Sequence, residues 1–92
     1  MFFITQNSEP IVYTLENCPH CETLKAFLKS NKKKFVERDL STAESLTELR
    51  MNGIFVTEAP VLQKGDKFYT TTELFSSGKL DAKRINGLFS GA

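Results

Sequence analysis

Cys18-Pro19-His20-Cys21 brings together every cysteine and histidine of the 92-residue chain. Two thiols three positions apart across one helical turn reach bonding distance, so the pair can exchange dithiol for disulfide. Exchange begins with a thiolate, which requires an accessible sulfur whose pKa is drawn from about 8.5 toward neutrality. A helix N-terminus does this through its unpaired N–H groups and aligned peptide dipoles. Cys18 is the expected nucleophile, with Pro19 opening the helix, where its missing N–H is not needed. Cys21, one turn further in, is the expected resolving thiol: it attacks the Cys18 sulfur of a mixed disulfide at high effective concentration. His20, exposed by its position between the cysteines, either stabilises the Cys18 thiolate when protonated or fills a tolerant position.

Other uses of the same residues compete with exchange. The cysteines could be inert core residues. With His20 they could hold zinc, copper or a cluster shared across a dimer. Two Cys and one His fall short of the four ligands of a closed zinc site, so no metal is expected. A redox-sensing or docking module is a third use.

The elements that must position the pair can be read on either side of it. Ile11-Val12-Tyr13-Thr14-Leu15 is apolar, aromatic and β-branched after Pro10, which predicts a first core strand. From Pro19 to about Ser30, Leu24, Phe27 and Leu28 follow Cys21 on one helical face. Residues 34–40 supply a second strand, parallel to the first across a right-handed crossover. Ser41-Thr42-Ala43-Glu44 reads as a capping box for a helix that buries Leu46 and Leu49 and stops at Asn52-Gly53. After a loop through residues 54–58, residues 61–64 and 67–70 form a hairpin whose Gly65-Asp66 turn suits type II′. Thr70-Thr71-Thr72-Glu73 is a second capping box, for a short helix before Gly78. A last helix starts near Asp81, carries Ile85, Leu88 and Phe89, and is weakened at Asn86-Gly87.

Hydrophobic residues at 40% and charged residues at 25% describe one globular domain over residues 1–92. A net charge of +1 gives no reason to expect nucleic acid. Lys32-Lys33-Lys34 falls at a predicted helix end, as a solvated cap or, alternatively, a dock for an acidic partner. Residues 1–6 have no basic segment and only three consecutive apolar residues after Met1. Neither a signal peptide nor a membrane span is expected there. The expected location is the cytoplasm, where thiols are kept reduced and a C-x-x-C pair is reactive rather than a permanent bridge. A monomer is expected.

The order βαβ, helix, ββ, helix resembles a thioredoxin-like α/β core, a four-stranded mixed sheet with helices on both faces. Through residues 12–21, and again at Glu58-Ala59-Pro60-Val61, the chain resembles glutaredoxins and glutaredoxin-like redoxins, over roughly residues 11–89. The resemblance implies a thiol–disulfide oxidoreductase acting through Cys18 and Cys21. It also implies a cis peptide at Pro60 that faces the cysteines and leaves the Ala59 backbone free to pair with an extended substrate. An ordinary trans proline opening a strand is the alternative. Strongly oxidising periplasmic disulfide oxidases share this CPHC tetrapeptide, which implies that Pro19 and His20 tune the potential.

The groups that hold glutathione in glutaredoxins are changed. Thr70-Thr71 stands for Gly-Gly, Glu73 for the acid and Leu15 for a lysine before the first cysteine. Thr71 therefore remains a substrate-groove candidate beside Ala59 and Pro60, while an anionic tripeptide loses charge-assisted bonds of about 1.5–3 kcal/mol. No tightly bound cofactor is expected, and glutathione is at most a co-substrate. Alanine before Pro60 resembles the redoxins that reduce ribonucleotide reductase. The expected partners are therefore disulfide-containing proteins, ribonucleotide reductase among them, with a thioredoxin-reductase-type protein or glutathione as reductant.

Overall fold

Period-two alternation along the central strands decides how the molecule is layered. In the computed structural model, which describes residues 9–55 and 58–90, β1 (Ile11–Thr14) lies between β2 (Val36–Asp39) and β3 (Val61–Lys64). Strand β4 (Lys67–Tyr69) completes the order β2-β1-β3-β4. β2 runs parallel to β1, whereas β3 is antiparallel to both β1 and β4. Expectations for residues 1–6, and residues 56–57 of the predicted loop, lie outside the described residues.

Val12 and Leu62 point to one face and Tyr13 and Val61 to the other, all fully buried. On the first face they pack with Leu24 and Leu28 of α1 (Pro19–Ser30), Leu74 of α3 (Thr71–Leu74) and Ile85 of α4 (Ala82–Ser90). On the second, Tyr13 and Val61 pack with Leu49 of α2 (Ala43–Met51) and with Leu40. The result is the α/β architecture expected, a four-stranded mixed sheet with helices on both faces. Among the described residues, no helix is long and apolar enough to cross a membrane.

Helix ends explain where the structure departs from the sequence reading. Ser41 does not cap α2, because its N–H and hydroxyl both donate to Asp39 Oδ1, at 2.8 and 2.7 Å. Thr42 takes the cap instead, its Oγ1 accepting from Ser45 N–H at 3.1 Å. Helix α2 ends as predicted at Gly53 (φ +80°), where Gly53 N–H donates to Arg50 O and Ile54 N–H to Leu49 O. The same pattern closes α1: Lys32 takes the left-handed conformation (φ +58°), and its N–H and that of Lys33 donate to Lys29 O and Leu28 O. Part of the lysine run is thus built into a helix end, and Lys33 Nζ also sits 5.7 Å from the ring centroid of Phe89.

Three other expectations are refined. The second strand is shorter than predicted and exposed along its length, because it is a sheet edge whose flanking Phe35 and Leu40 turn into opposite faces. The short third helix, with Glu73 accepting from Thr70 N–H at 2.9 Å, gives way at once to a small hairpin, β5 (Phe75–Ser76) and β6 (Lys79–Leu80). Ser77 and Gly78 both have positive φ there, as a two-residue turn between twisted strands requires. Helix α4 continues through Asn86-Gly87 without a break.

One polar cluster ties α1 to the strand edge. Lys25 Nζ lies 3.0 Å from Glu37 Oε2 and 3.1 Å from Glu22 Oε2, and Thr14 Oγ1 donates to Glu37 at 2.8 Å. The hydrogen bonds from Thr14 and then Lys25 hold the Glu37 carboxyl below its ordinary value of 4.5. Folding therefore favours the charged form, so this stabilisation is present above pH 4.5 and lost as pH falls through the folded value. Glu37→Gln is expected to lower stability by less than about 1 kcal/mol at neutral pH, because the pair is partly exposed. Unfolding midpoints measured against pH should converge in acid; a constant gap down to low pH would refute the assignment.

Candidate active site

The sequence around the cysteines leaves the chain one way to turn from β1 into α1. Strand β1 ends at Thr14, Asn17 takes a left-handed conformation (φ +55°), and Pro19 occupies the first helical turn with Cys18 as N-cap. Asn tolerates that conformation better than most residues, and Pro is pre-set for the first turn. Cys18 Sγ takes the place a capping oxygen usually fills, accepting from Cys21 N–H at 3.0 Å. Cys18 and Cys21 are joined as a disulfide, their Cα atoms 5.2 Å apart.

Burial separates the two sulfurs, as expected. Cys21 is fully buried on the face that carries Leu24 and Leu28, whereas Cys18 lines an open cleft. Once the disulfide opens, the helix N–H that points at Cys18 Sγ favours negative charge there, whereas burial disfavours it at Cys21.

The cleft measures about 480 Å³ and is bounded by Leu15, Glu16, Asn17, Cys18, Pro19, His20, Glu58, Ala59 and Thr71. The Ala59-Pro60 peptide is cis, and the Ala59 carbonyl oxygen lies 3.6 Å from Cys18 Sγ. Pro60 is fully buried behind that loop rather than lining the cleft. Thr71 reaches the cleft wall, but its hydroxyl donates to Pro60 O at 2.9 Å, so it braces the loop that carries Ala59. The fold therefore brings together Cys18, Cys21, Pro19, His20, Ala59, Pro60 and Thr71, residues up to 53 positions apart (71 less 18).

His20 differs from its expected placement. It is half-buried, with its ring stacked on Phe75 at 4.1 Å between centroids and 10° between planes. Position between two cysteines says nothing about Phe75, which opens β5 just after α3, and no local pattern announces the pairing. Glu16 and Glu58 also line the cleft, unanticipated from the sequence. The only signal was adjacency, since one lies two residues before Cys18 and the other next to Ala59. Among the described residues, no three His, Cys, Asp or Glu side chains converge where a metal ion could sit.

A disulfide between a helix N-cap and the next turn, beside the Ala59-Pro60 loop at one end of a mixed four-stranded sheet, defines a thioredoxin-like oxidoreductase. Residues 11–68 match the Glutaredoxin family, and the chain belongs to it. It is accordingly a thiol–disulfide oxidoreductase, and its substrates are disulfide-containing proteins. Among solved structures, it is similar to the glutaredoxin-like protein NrdH-redoxin from Escherichia coli, whose activity profile is described as thioredoxin-like. The TM-score is 0.63 at 18% identity, over 88% of this chain and 95% of that one. At that identity the likeness speaks to the fold. No curated protein matches the sequence.

Proposed function

We propose that Cys18 and Cys21 are the working dithiol and that this chain reduces protein disulfides with electrons drawn from a thioredoxin-reductase-type protein. The observation that carries the reading is the unequal placement of the two sulfurs: Cys18 at the helix N-cap in an open cleft, Cys21 fully buried one turn away.

The Cys18 thiolate attacks one sulfur of the substrate disulfide, whose other sulfur leaves as a thiolate, giving a mixed disulfide. Cys21 then gives up its proton and attacks Cys18 Sγ. The second substrate sulfur leaves, and the Cys18–Cys21 disulfide forms. Two electrons have passed to the substrate; of the two protons its thiols take up, one is that released by Cys21 and the other comes from water, matching the proton Cys18 lost to become a thiolate. The Ala59 backbone beside Cys18 offers an extended partner segment a place to pair, with Thr71 bracing that loop and His20 and Pro19 shaping the turn.

A protein reductase is favoured over glutathione because no Lys or Arg lines the cleft among the described residues, and Leu15, Glu16 and Glu58 do. Similarity to a redoxin whose profile is called thioredoxin-like supports the same choice. Alanine before Pro60 supports ribonucleotide reductase as a physiological substrate, and a reactive C-x-x-C pair suits the reducing cytoplasm.

Insulin reduction coupled to NADPH tests the donor. Turnover with thioredoxin reductase should exceed turnover with glutathione and its reductase by about tenfold or more, a difference of about 1.4 kcal/mol in the coupled barrier. The reverse order would overturn the choice of donor. Failure with both donors would overturn the function.

A further inference from the structure

The chain as a whole is nearly neutral, with 12 Lys and Arg against 11 Asp and Glu, yet the sheet separates the charges along its strands. Strand register places Ile11 beside Val36 and Gln63, and Lys64 beside Lys67, at the end of the sheet away from Cys18. Lys32, Lys33, Lys34, Lys64 and Lys67 gather at or next to that end, against Glu9 and Asp66. At the opposite end, the charged groups in the cleft wall are Glu16 and Glu58, both exposed, with His20 as a third ionisable side chain there and Glu22 beside Cys18 on the far side of Pro19. The groove on the other side of the 15–17 turn continues the same sign. Its Lys25 and Arg38 are outnumbered by Glu16, Glu22, Glu37 and Asp39, and Lys25 is already held by two of these acids.

We propose that Glu16 and Glu58 make this site selective for disulfides flanked by Lys or Arg, an inference that rests on the redox reading above. A partner approaching Cys18 enters a cleft whose wall carries these two carboxylates, one on the turn before the helix and one beside Ala59. Cationic flanks are attracted and anionic ones repelled. Because the opposite pole is basic, the field also orients a cationic partner toward the cysteine end before contact. Charge arranged in this way acts mainly on encounter rates and discrimination, and salt weakens it.

The test uses three short symmetrical peptide disulfides that differ only in the residues flanking cysteine: Lys, Gln or Glu. Each reduction rate is divided by the rate of dithiothreitol on the same peptide, which cancels the effect of the flanks on the peptide's own sulfur. At low salt the Lys peptide should be reduced about tenfold or more faster than the Glu peptide, with the Gln peptide between them. That ratio should fall to within about twofold near 1 M salt, where the screening length is about 3 Å. It should fall equally in the E16Q/E58Q variant, whose substitutions are isosteric and lie on exposed residues. Neutralising these acids also changes the environment of Cys18, but that alters all three rates together and leaves the ratio unaffected. If the Gln peptide is reduced and the ratio is flat, or persists unchanged in E16Q/E58Q, charge selection is overturned while the redox function stands. If the Gln peptide is not reduced at all, the redox reading falls and takes this proposal with it.

Discussion

Cys18→Ser is expected to lower disulfide reduction by about 1000-fold or more, the scale on which loss of a nucleophile acts in covalent catalysis. A serine hydroxyl at the same N-cap would still accept from Cys21 N–H, so the helix start survives while the thiolate does not. Cys21→Ser should behave differently. Attack by Cys18 remains, but the resolving step loses its intramolecular thiol, whose advantage in effective concentration is many orders of magnitude. Mass spectrometry should then find one substrate thiol bound per chain, released by dithiothreitol. Residual turnover in Cys18→Ser comparable to wild type would show that the assignment of roles is wrong. Adduct formation by Cys18→Ser rather than by Cys21→Ser would show that the roles are reversed.

Leu24→Ala should give the largest loss of stability among single changes close to the site. Leu24 is fully buried, one turn beyond Cys21, and packs with Val12, Leu28, Leu62, Leu74 and Ile85. Truncating a leucine in such a place costs about 2–5 kcal/mol, the sum of lost transfer energy and the cavity left behind. A domain of this size has roughly 5–15 kcal/mol in total. The unfolding midpoint should therefore drop by on the order of 10–30 °C. Urea titration of the oxidised protein should show a lower midpoint at an unchanged slope. A loss under about 1 kcal/mol would mean that the helix does not depend on this contact.

Both predictions concern residues that could be read from the chain alone. The C-x-x-C spacing, Pro19 at a helix start and the stripe of Cys21, Leu24 and Leu28 are local patterns, set by helical period and by the bonding of a few neighbouring residues. The same holds for the alternation of Val12 with Tyr13 and for Gly53 and Gly65, whose positive φ suits a helix end and a hairpin turn. Element order then led to the sheet and its two covered faces, because short connections leave few ways to join such pieces.

What remained illegible depended on distance along the chain. The cap of α2 moved by one residue because Asp39 and Thr42 compete for neighbouring groups, and their local bonding energies are too similar for residue type alone to separate. The stacking of Phe75 on His20, the brace from Thr71 to Pro60 and the placement of Glu16 and Glu58 on one cleft bring together residues 11 to 55 positions apart. Backbone period and local hydrogen bonding make the C-x-x-C pair, the helix that presents it and the faces of the strands legible from the chain alone. What surrounds Cys18 is a matter of long-range packing, because the charge and shape of a cleft are set by which distant side chains the sheet register brings to the same end.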